Sequence, residues 1–80
     1  MKVDQVRSAT QRAFRTFCRT HGELRTLILK VSDEALRVLG YNYGDCIDCS
    51  EVLNEDPGVR VIITSDQRLE EDEVSFVYAT

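Results

Sequence analysis

Eighty residues, 42% hydrophobic and 30% charged, make one domain with a thin core and exclude wholesale disorder. No apolar run approaches the roughly 20 residues that span a bilayer, and no apolar signal core follows Met1-Lys2-Val3-Asp4-Gln5, so a cytoplasmic protein with no membrane partner is expected. The net charge of −4 hides a split: residues 1–30 carry seven bases against two acids, and residues 31–80 carry three against twelve.

Residues 3–19 read as a helix. Val3, Val6, Thr10, Ala13, Phe14 and Phe17 recur at spacings of three and four and form one stripe. Arg12, Arg15 and Arg19 keep the same spacings on the opposite face. Thr20-His21-Gly22 should end the helix, with Gly22 as its C-cap. Residues 24–31 read as a strand, because branched side chains dominate and no breaker interrupts them. The apolar residues are too many for one-sided alternation, so coverage on both faces is expected, from the domain itself or from a second subunit. Ser32 suits an N-cap, and Asp33 and Glu34 suit the first turn of a helix over 33–39 that turns Ala35, Leu36 and Leu39 inward. Gly40 should stop it.

Tyr41 to Asp45 reads as a turn and Cys46–Val52 as a strand. Asn54-Glu55-Asp56-Pro57-Gly58 is the clearest turn in the chain, followed by a strand over Val59–Thr64. Residues 65–72 form an acidic loop. The final strand, Glu73–Tyr78, alternates Val74, Phe76 and Tyr78 against Ser75 and Val77. The order α-β-α-β-β-β predicts a single α+β domain over 1–80. A basic amphipathic helix comes first, and a small, mostly antiparallel sheet with one short helix occupies 24–78.

The stretch from Gly22 to Thr64 resembles the AbrB/MazE family of swapped-hairpin DNA-binding domains. A strand (Leu24–Val31), a short helix ending at Leu39-Gly40, the Gly44-Asp45 turn, Ile47 and Cys49 as inward positions, and a return strand at Val59–Thr64 carry the resemblance. It implies an interlocked homodimer that regulates transcription or acts as an antitoxin, with Arg25 near DNA and Arg12, Arg15 and Arg19 tracking phosphates. The same arginines equally suit a solvated helix face or a surface docked on acidic residues.

Three cysteines are an odd number and favour reduced thiols over a disulfide set. They fall, with the single histidine, into two pairs: Cys18-Arg19-Thr20-His21 and Cys46-Ile47-Asp48-Cys49. Two such pairs can close a tetrahedral zinc site. On a regular strand, however, Cys46 and Cys49 point to opposite faces and cannot chelate together. The favoured reading is therefore no cofactor, with zinc as the alternative.

His21 is the one side chain suited to neutral-pH base chemistry, and it sits at a helix end, where a capping or surface role is commoner. The run Glu70-Glu71-Asp72-Glu73 reads as a solvated loop, and no phosphate-cradling glycine loop occurs. A non-enzymatic binding domain is expected. DNA is one candidate partner. Another protein is the alternative, met by an adaptor or inhibitor whose exposed strand edges pair with a partner or a second copy.

Overall fold

Leu27, Leu29 and Val31 alternate with Ile28 and Lys30, and this two-residue period decides which way the sheet faces. In the computed structural model, which describes Lys2 to Ala79, the first three are fully buried. They lie on strand β1 (Leu27–Val31), between helices α1 (Val3–Thr20) and α2 (Asp33–Leu39). Strand β2 (Cys46–Asp48), a 3-10 turn (Cys49–Glu51), β3 (Arg60–Ser65) and β4 (Val74–Tyr78) complete the fold. It is an α+β domain with the order expected from the sequence.

The sheet runs β2-β3-β1-β4. β1 pairs parallel with β3, Leu29 opposite Ile63, and antiparallel with β4, Leu29 opposite Phe76. β2 pairs antiparallel with β3. Two of the three pairings are antiparallel; the central one is parallel because the chain crosses over through α2 before β3 returns beside β1. Phe14, Phe17, Val6, Ala35, Cys49, Val52 and Leu53 close over Leu27, Leu29, Val61, Ile63 and Phe76 to form the core. Each large buried side chain among these contributes about 1.5–3 kcal/mol.

Several boundaries differ from the sequence reading. Residues 24–26 are outside β1, and Leu24 is 44% exposed, because Thr26 is the last residue to reach β4, through Ala79 N–H. Among the described residues, both-face coverage of β1 does not occur. Ile28 stays half-buried, beside Ile62, Val77 and Cys46 in one row across the uncovered face. The strand expected over Cys46–Val52 stops at Asp48. There the Glu51 carboxylate accepts from Asp48 N–H, and the chain turns inward to bury Cys49, Val52 and Leu53. Val3 is exposed at the start of α1, whereas Ala9 and Gln11 are buried. Gly22 does not cap α1. His21 does, in an extended conformation, its N–H donating to Phe17 O at 2.8 Å. α2 ends as expected, on Gly40 in the left-handed region at φ 81°.

Candidate interaction edge and groove

The two outer strands of the sheet are built differently. β2 is three residues long, carries Asp48 across from Arg60 in a 3.2 Å ion pair, and ends in a turn. Arg60 also donates to Cys46 O at 3.1 Å. Shortness and charge are the usual devices that prevent an edge from recruiting another strand. β4 has neither. It runs five residues, Val-Ser-Phe-Val-Tyr, without a charge, a proline or a glycine.

The register fixes which backbone groups β4 leaves open. Ala79 N–H donates to Thr26 O, so residues 77 and 75 exchange hydrogen bonds with 28 and 30. Val74, Phe76 and Tyr78 therefore turn their N–H and C=O groups away from β1. Among the described residues, no side-chain hydrogen bond reaches these groups.

Beside this edge runs a groove floored by β4 and walled by α1. One stretch, about 390 Å³, is lined by Ala13, Thr16, Thr20, His21, Val74 and Ser75. It continues past Arg12 and Leu69 toward a cleft lined by Asp4, Arg12, Glu71 and Asp72. Local helix geometry makes the wall low. Thr16 and Thr20 fold their hydroxyls back onto Arg12 O and Thr16 O, each at 3.1 Å.

The end of the groove nearest Tyr78 is aromatic and carries the Arg25 guanidinium. The His21 ring stacks on Phe17, centroids 4.1 Å apart, and meets the Tyr78 ring edge-on at 5.3 Å. Its Nδ1 lies 3.2 Å from Phe17 O. The Arg25 guanidinium sits 4.1 Å above the Tyr78 ring, and Tyr78 O–H donates to Glu23 O at 2.8 Å. The opposite end is acidic. Arg68 neutralises Asp66 and holds its carboxyl down to about 2, chiefly through their side-chain hydrogen bond. The negative charge therefore gathers at Glu70 to Glu73, just before β4.

The arginines singled out from sequence are all exposed. Arg12, Arg15 and Arg19 share the outer face of α1 and line clefts that also hold carboxylates, Asp4, Glu71 and Asp72 with Arg12 and Glu55 with Arg15 and Arg19. Arg25 lies apart from that face, at the Tyr78 end, 3.9 Å from Glu23. The thiols and the imidazole do not converge. Cys18 packs against the core that buries Cys49, Cys46 is exposed on the uncovered sheet face, and His21 is stacked between Phe17 and Tyr78. No group of three or more His, Cys, Asp or Glu among the described residues is arranged to hold a metal.

Sequence reasoning missed the residues that hold α1 in place. Gln11 is buried, accepts from Asn54 N–H at 2.9 Å and donates to Glu55; Arg7 reaches Leu53 O. Gln11 lies beside the apolar stripe and three residues before Phe14, and that position was the available signal. The chain matches no family model, no curated protein and no solved structure.

Proposed function

We propose that this chain is a non-enzymatic protein-binding module, of adaptor or inhibitor type, that takes up an extended strand of another polypeptide at β4. The observation that carries the reading is the contrast between its edges: β2 is short and charged, whereas β4 is long, neutral and open. Main-chain hydrogen bonds to Val74, Phe76 and Tyr78 would supply affinity, and side chains entering the groove beside Ala13 and Thr16 would supply specificity. The chemistry of α1 agrees with a protein partner. Its arginines lie among carboxylates, which weakens their pull on a phosphate backbone.

A second reading keeps DNA as the partner, with the homodimer that the AbrB/MazE resemblance implies. It is favoured by the exposure of Arg12, Arg15 and Arg19 on one face.

One experiment separates the two. A photo-crosslinking amino acid at Thr16, in the groove, is compared with one at Arg37, exposed on α2, in cells that express the chain. Polypeptide adducts at position 16 and none at 37 are expected. Adducts to nucleic acid alone, or no difference between the positions, would refute the protein-binding edge.

A further inference from the structure

We infer that the strand received at this edge is β4 of a second copy, the two pairing antiparallel about Phe76 into one continuous eight-stranded sheet. The inference rests on the reading of β4 as a binding edge and names its occupant.

The edge is self-complementary. Its outward groups belong to residues 74, 76 and 78, spaced evenly about Phe76. A two-fold axis through Phe76 sets Val74 against the partner's Tyr78 and Phe76 against the partner's Phe76. Each such pair exchanges two bonds, giving about six main-chain hydrogen bonds with no register shift.

Charge then selects the direction. Asp4 and Glu70 to Glu73 gather where β4 begins; the Arg25 guanidinium lies over Tyr78 where it ends. The two ends are five residues apart, about 17 Å of extended chain. That exceeds the screening length of about 8 Å at physiological salt, so within its own chain Arg25 meets only Glu23, across an exposed 3.9 Å pair, and not the acidic cluster. Antiparallel pairing reverses one copy on the other and brings each acidic cluster beside the partner's Arg25. A parallel arrangement would set acid against acid.

The groove also leaves room. In the pair, both copies of α1 lie on the same face of the joined sheet and approach across the axis. The side chains between them are small: Ala13, Thr16 and Thr20.

Sedimentation equilibrium of the full chain, together with two sets of variants, tests this. The wild type should weigh about twice 9.1 kDa at about 100 µM, and dissociate more readily as salt rises. Thr16→Arg places two guanidinium groups at the axis and should weaken the dimer at least ~10-fold, with the circular dichroism spectrum unchanged. Arg25→Glu should also weaken it, and adding Glu73→Arg to that variant should restore it. A wild type of 9.1 kDa at every concentration overturns the inference; if position 16 still crosslinks to another polypeptide, the binding edge stands and only its occupant was wrong. A dimer indifferent to both substitutions also overturns it, by placing the interface elsewhere.

Discussion

Cys46 and Cys49 sit three residues apart in sequence and in opposite surroundings. Cys46 lies exposed on the uncovered sheet face, its sulfur 3.4 Å from Arg60 Nε. Cys49 is wholly buried. Loss of water, and then the proximity of Cys18, Glu55 and Asp56, pushes its thiol up to about 11. An alkylating reagent at pH 8 should therefore label Cys46 rapidly and Cys49 only through unfolding, as peptide mass mapping would read; equal rates would contradict the burial. The same shift gives a pH dependence. In the unfolded chain the Cys49 thiol ionises near 9.0, below its folded value, so its contribution is complete below pH 9. As pH rises from 9 toward 11, the unfolded chain sheds its proton first, and stability should fall. Cys49→Ala should flatten that fall in a series of denaturant titrations. Cys46 and Cys49 were expected to diverge as positions on one strand; they diverge instead because the strand ends at Asp48 and the chain turns inward, which was not legible because it depends on Val52 and Leu53 finding the core.

Among the elements, α2 shows how a short helix is made from local signals. Ser32 Oγ accepts from Ala35 N–H at 3.1 Å and donates to Glu71 O at the same distance, so one buried hydroxyl caps the helix and pins the acidic loop. Ser32→Ala should destabilise the fold by about 1–2 kcal/mol in urea unfolding, since both the cap and the carbonyl lose their partner. It should also loosen the 70–73 segment. A cost near zero would show that water replaces the hydroxyl. Such local features were readable: Ser32 before two acids, Gly40 after Leu39, and alternation through Phe76 each carry their own cause. Strand order was not. That β4 lies at an edge, and that β1 and β3 run parallel, depends on pairings between residues more than 30 positions apart. The candidate site inherits this division. The neutral run Val-Ser-Phe-Val-Tyr could be read directly; the open side of its backbone could not.

Viewed as a molecule, the chain does not simply fold its basic third onto its acidic remainder. Arg12 lines one cleft with Glu71 and Asp72, while Arg25 stays with Tyr78 at the far end of β4. The result is a charge gradient along an open strand, which a reversed second copy completes and a uniform polyanion does not. The core is one-sided as well: both helices cover the same face of the sheet, and the row Cys46-Ile62-Ile28-Val77 stays partly in water. For so small a domain, joining two sheets at β4 adds main-chain hydrogen bonds and apolar contact without enlarging the chain. Residue-resolved hydrogen exchange at Val74, Phe76 and Tyr78 tests this most directly, because their amides face away from β1 and have no partner strand in a single copy. Their exchange should slow as protein concentration rises and quicken again in the Thr16→Arg variant. Fast exchange at all three amides, at every concentration and with no dependence on position 16, would contradict it.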